Sequence, residues 1–175
     1  KDGVTICLMS MYWDDYLQGK AEGNGAFFAQ EIKRIKESGE ADAVIAILHG
    51  GQEYGRHRTR PQTVFTAMAM RSGADLVICH HAHVVMGMDV IGNRSAFYSL
   101  GNFCFGGNTM PSDQRAMMFQ QVFNVSATGE ITDGFTIDYP VSMLKKLEKG
   151  KYLVKAEVDL KTKGMTDEEI EAEND

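Results

Sequence analysis

Ala41-Asp42-Ala43-Val44-Ile45-Ala46-Ile47-Leu48-His49-Gly50-Gly51 places an unbroken apolar run between an acid and a histidine. A run that short and that apolar is the pattern of a strand covered on both faces in a parallel sheet. The plan returns at Ala74-Asp75-Leu76-Val77-Ile78-Cys79-His80-His81-Ala82-His83. Each run follows a segment with helical spacing. Phe28, Ile32 and Ile35 lie at i, i+4 and i+7 within Ala26–Ser38, and Gly39 follows as a stop. Pro61 suits the start of a second helix, Phe65, Met68, Ala69 and Ser72 continue it, and Gly73 closes it. Two consecutive units therefore read helix, glycine, Ala-Asp, apolar strand, histidine. This alternation makes the fold α/β, with both histidine clusters at the carboxyl ends of parallel strands. In open α/β sheets that edge is where sites are built.

Working outward, Val4–Tyr12 reads as a further strand and Asp14–Gly25, with its glycines and charges, as a loop. Beyond residue 84 the period changes. Val84–Ile91 and Arg94–Ser99 flank Gly92-Asn93 as a hairpin on a two-residue turn. Leu100–Met110 reads as a glycine- and asparagine-rich loop, and Met117–Ser126 and Glu130–Tyr139 as a second hairpin. Tyr152, Val154, Ala156, Val158 and Leu160 alternate with mostly charged residues, so one face of that strand is expected to be wet. Thr166-x-x-Glu169 could open a last short helix. With no linker in view, the chain reads as one domain over 1–165 and an acidic tail over 166–175.

Composition narrows the function. The 175 residues suffice for one domain with a core, and the net charge of −6 offers no basic field for nucleic acid or anionic lipid. Cys7, Cys79 and Cys104 are far apart in apolar runs, so buried, inert thiols are expected rather than disulfides. No apolar run approaches the length of a membrane helix. The chain begins Lys1-Asp2-Gly3, without an initiator Met or a signal peptide, and is expected to be a piece of a longer protein.

Four of the five histidines, His49, His80, His81 and His83, stand at the two strand ends. In an extended segment residues two apart share a side, so His81 and His83 should converge while His80 points away. A lone histidine in such a place would be a satisfied polar residue near the core. Three of them from two adjacent strand ends point to a metal, and neutral imidazoles suit Zn, Fe, Mn or Ni. His57, in Arg56-His57-Arg58-x-Arg60, reads as solvated surface. Those arginines could line the rim of the His49 turn and meet an anion, with Arg58 the candidate, although an exposed charge run is the commoner explanation.

Three stretches then carry a resemblance. Residues 41–54, with His49-Gly50-Gly51-Gln52-Glu53-Tyr54, resemble the His-Trp-Gly-x-Glu-Tyr segment of the CapA family of bacterial capsule and poly-γ-glutamate synthesis proteins. Residues 73–84 resemble that family's Gly-Ala-Asp-x-Val-Ile-Gly-His-His-Pro-His-Val. Tyr98-Ser99-Leu100-Gly101-Asn102-Phe103 matches its Tyr-Ser-Leu-Gly-Asn-Phe. Gly50, Cys79 and Ala82 stand where the family pattern has Trp, Gly and Pro.

The resemblance implies the calcineurin-like metallophosphoesterase superfamily, a four-layer α/β/β/α sandwich with a two-metal site of Mn, Fe or Zn. It implies His49, His81 and His83 as metal ligands, with Glu53, Asn102, His80 and Arg58 orienting them or meeting substrate. The superfamily's first-half motifs are absent from these residues, so the catalytic groups are expected elsewhere and about half a site here, which alone should bind metal weakly or not at all. It further implies an extracytoplasmic, cell-surface place, an anionic phosphate- or polyglutamate-type ligand, and a missing N-terminal half or a second copy as partner. The competing expectation is a non-catalytic surface scaffold of polyglutamate assembly.

Overall fold

The computed structural model describes residues 3–13, 20–103, 111–128, 131–142, 145–148 and 151–153. Its centre is a five-stranded sheet in the order β1-β2-β3-β5-β4. β1 (Ile6–Trp13), β2 (Ala43–Gly50), β3 (Leu76–His80) and β5 (Arg94–Phe97) run parallel, and β4 (Met88–Ile91) closes the edge antiparallel to β5. The fold is α/β, as the alternation requires. The hairpin expected around Gly92 forms but does not stand apart: β5 enters the sheet beside β3.

α1 (Lys20–Ser38) and α2 (Arg60–Ser72) lie on one side of this sheet. The strand residues that join their core are Cys7, Met9, Met11 and Trp13, then Val44, Ala46 and Leu48, then Val77 and Cys79, then Ala96 and Tyr98. All are alternate residues, hence one face. Phe28 of α1 meets Phe65 of α2 with ring centroids 5.4 Å apart. The opposite face is apolar too, and only part of it is covered. Ile45, Ile47 and Ile78 are half-buried, whereas Leu8 is 66% exposed.

Two findings revise the sequence expectations. The helix expected from Ala26 begins at Lys20, six residues earlier. Its glycines misled, because Gly25 is a packing position: a Cβ there would sit 3.4 Å from the Met68 sulfur. The second hairpin runs longer than expected, β6 (Arg115–Val125) with β7 (Ile131–Ser142), and forms a separate two-stranded ribbon. Phe119 of β6 stacks on Phe97 of β5 at 4.1 Å. A second ribbon, β8 (Lys145–Glu148) with β9 (Lys151–Leu153), is not foreshadowed by the sequence pattern. Cys104, the strand beyond Leu153, the Thr166 helix and the tail lie outside the described residues. The described elements form one helix-covered sheet with two ribbons.

Candidate functional site

His49 and His80 are register partners near the ends of β2 and β3, so two imidazoles start from adjacent strand ends. The chain then leaves β3 through His81 at φ +100° and His83 at φ +56°. Both lie in the left-handed region, which costs a residue with a Cβ about 1–3 kcal/mol where the surroundings impose it. That turn, not strand alternation, gathers the rings. His81 Nδ1 comes to 3.1 Å from His49 Nε2, and the His81 and His83 centroids are 6.2 Å apart. His49 and His81 come face to face and His83 lies beside His81, so of the three expected to converge the structure pairs two closely, and an extended 81–83 segment is not what does it.

Neighbouring backbone holds the turn. Ala82 is buried, and its carbonyl accepts the Tyr54 N–H at 2.7 Å. Tyr54, itself at φ +58°, lies 6.2 Å from the His83 ring, and Tyr12 of β1 stacks on His49 at 5.7 Å. Neither tyrosine was singled out from sequence, although Tyr54 sits inside a quoted motif. Gly50 leaves no alternative at its position, since a Cβ there would collide with the Trp13 carbonyl oxygen. The Trp of the family pattern therefore has no place in this strand pairing.

His49 keeps an open edge, yet partial burial, reinforced by the nearby His81 and His83, pushes its imidazole below the ordinary range. Burial, then His49, does the same to His80. Both are thus biased toward the neutral, ligating form. His80 lines a different space, a cavity of about 450 Å³ with Leu100, Phe103, Met117 and Phe119. Glu53 is exposed. Arg58 is ion-paired with Asp89 and shares the Tyr98 hydroxyl at 3.1 Å, with its guanidinium 5.2 Å from the centre of the Tyr98 ring. Its charge is already matched, and it ties the loop before α2 to the β4–β5 hairpin.

Asn102 is the buried polar residue of the site, 3% exposed. Its Nδ2 donates to the carbonyls of His83 at 2.9 Å and Asp113 at 2.8 Å, and its Oδ1 lies 2.7 Å from His83 Nδ1.

The donor set can be tested against a divalent ion. Two nitrogens each about 2.0–2.1 Å from one ion stand about 2.8–3.4 Å apart, by tetrahedral or cis octahedral geometry. The His49–His81 separation of 3.1 Å falls in that window. Among the described residues no group of three His, Cys, Asp or Glu side chains is disposed as a full ligand set. The contact is a hydrogen bond between the two rings; its length would also suit two imidazoles on one ion, whose charge would need carboxylates from beyond them.

Residues 10–107, more than half of the chain, match the family described as bacterial capsule synthesis protein PGA_cap. The chain belongs to this family. The matched span contains His49, His81, His83 and Asn102, so the PGA_cap segment and the histidine cluster coincide. The capsule biosynthesis protein CapA of Bacillus anthracis is 34% identical over 89 residues, 50% of this chain and 22% of that protein. The PGA biosynthesis protein CapA of Bacillus subtilis (strain 168) is 33% identical over 93 residues, 53% of this chain and 24% of that protein. The chain thus spans about a quarter of the length of these PGA_cap relatives.

Proposed function

We propose that this chain contributes the histidine side of a divalent-metal, phosphoesterase-type centre in a capsule or poly-γ-glutamate synthesis protein of the cell surface. The observation that carries it is the facing pair of ring nitrogens, His49 Nε2 and His81 Nδ1, at 3.1 Å. Two imidazoles turned nitrogen to nitrogen can share one proton or one cation. The strained turn that produces the pairing, at His81 and His83, favours the second reading, because such strain clusters at ligand clamps. When bound, a divalent ion supplies Lewis acidity toward a phosphoryl oxygen and activates water for attack. His49, biased toward its neutral form, would hold the ion from the β2 end, and His81 and His83 from the β3 end. Carboxylates completing the set, and a sheet covering the open face to make the four-layer sandwich, would come from the rest of the longer protein. An anionic phosphate or polyglutamate group would be the ligand.

Calorimetric titration with Mn²⁺ and Zn²⁺ tests the reading. The 175-residue chain should bind either ion weakly, and both His49→Ala and His81→Ala should abolish the heat. Binding unchanged in the double variant would overturn the histidine assignment. Submicromolar affinity would overturn the claim that carboxylates are supplied elsewhere. In a polypeptide of the relatives' length, Mn²⁺-dependent hydrolysis of a phosphodiester, lost in His49→Ala, separates an enzyme from a non-catalytic scaffold.

A further inference from the structure

Asn102 spends two of its three side-chain hydrogen bonds on the His83 turn and the third on the Asp113 carbonyl. The orientation of that amide is unambiguous, because both neighbours of Nδ2, the His83 and Asp113 carbonyl oxygens, can only accept. Oδ1 must therefore be the atom facing His83 Nδ1 at 2.7 Å, and a carbonyl oxygen can only accept as well. The proton of that hydrogen bond sits on Nδ1. A neutral imidazole carries one proton, so in that form Nε2 is its lone-pair nitrogen.

We propose that Asn102 is a positioning residue that fixes His83 as its Nδ1–H tautomer and so selects Nε2 as the nitrogen that can ligate. The same amide holds the His83 carbonyl, so one group bears on both the ring and the left-handed backbone at φ +56°. Burial keeps water from competing for these bonds. Gly101 brings the amide there. At φ +74° and with no Cβ, it lets the chain pass against the Arg115 carbonyl, so that residue 102 enters between the His83 turn and the 113–115 segment. Second partners of metal-ligating histidines commonly fix tautomer and ring orientation, and a carboxamide can fill that place without adding a charge. The purpose of the device rests on the metal reading above, but its existence does not.

The test is therefore made without metal. Two-bond proton–nitrogen correlation spectra of the ¹⁵N-labelled chain, at a pH where histidines are neutral, report which ring nitrogen carries the proton. His83→Gln identifies the His83 signals by their loss. The wild-type chain should show the Nδ1–H pattern, whereas neutral imidazole in water favours Nε2–H. Asn102→Asp keeps an acceptor and should retain the Nδ1–H pattern. Asn102→Leu removes the acceptor and should shift His83 to Nε2–H or to an averaged pattern. An Nε2–H pattern in the wild type overturns the proposal outright, whether or not either variant folds. An unchanged pattern in a folded Asn102→Leu protein overturns it too, since something else then holds the ring. Failure of the calorimetric titration would remove the metal and leave this result standing.

Discussion

At the scale of single residues, Gly101 and Cys79 show how burial translates into measurable behaviour. Gly101 sits at φ +74°, and a Cβ would strike the Arg115 carbonyl oxygen. Gly101→Ala should therefore lower the unfolding free energy by about 1–3 kcal/mol, read from urea midpoints. It should also release the Asn102 amide, visible as loss of the Nδ1–H pattern at His83. Cys79 is fully buried under α2, and burial pushes its thiol up to about 12. The thiolate is the reactive form, so in native protein at pH 8 a thiol reagent should leave Cys79 unmodified, and modify it only once denaturant is added. Peptide mapping after labelling checks this, and modification of Cys79 under native conditions would contradict the burial. The three histidines were legible in the sequence because residue type and strand-end position survive translation into space. Asn102 was legible only as part of a motif, because its bonds run to residues 83 and 113, separations that no periodicity encodes.

Among the elements, the repeated Ala-Asp does the same job twice. Asp42 Oδ2 accepts the Thr5 N–H at 2.6 Å just before β1, and Asp75 Oδ2 accepts the Val44 N–H at 2.8 Å in β2. Each acid at the start of one parallel strand thus clasps the backbone of the strand before it and sets the register there. The second clasp is buried and also receives Lys36 Nζ at 3.1 Å, which reaches down from α1. Asp75→Ala would strand the Val44 donor and should cost about 1–3 kcal/mol. The exposed Asp42→Ala should cost under about 1 kcal/mol, since water can replace the acid. Equal urea midpoints for the two variants would sink this account. The repeat was visible in the sequence as a motif, and its register function only in the pairing. The start of α1 was hidden for a related reason. Helix propensity counts Gly25 as a breaker, whereas contact with Met68 and Trp13 makes its small size an asset.

Over the whole molecule, the unequal treatment of the two sheet faces has the largest consequence. One face is sealed by both helices, while β1 presents Ile6 at 48%, Leu8 at 66% and Tyr12 at 54% exposure along an edge strand without a single charge. Edges of this kind normally carry a lysine, a proline or a bulge that discourages pairing, and β1 has none. The chain alone should therefore sediment above its monomer mass of 19.4 kDa at micromolar concentration, and Leu8→Lys should shift it toward the monomer. A wild-type chain that stays monomeric on dilution and concentration alike would show that the face is innocuous.

The β6–β7 ribbon is built of eleven register pairs yet meets the main sheet through a short seam. Among the described residues that seam includes the Phe97–Phe119 stack, the Gly101–Ala116 bridge, the Met117 N–H to Leu100 carbonyl bond at 2.8 Å and the Asn102 N–H to Arg115 carbonyl bond at 3.4 Å. Such a ribbon can open as a unit while β2 and β3 stay shut. In hydrogen–deuterium exchange the amides of 115–125 should then share one opening free energy, smaller than that of 44–48 and 76–79. Asn102 straddles the seam: on the ribbon side its Nδ2 donates to Asp113 and its backbone N–H to Arg115, and on the sheet side its side chain makes two bonds to His83. Each time the ribbon lifts, the amide loses its anchor on Asp113 and its hold on the His83 turn loosens. If His83 ligates as proposed above, the lifetime of its ligating geometry would depend on how often a hairpin detaches.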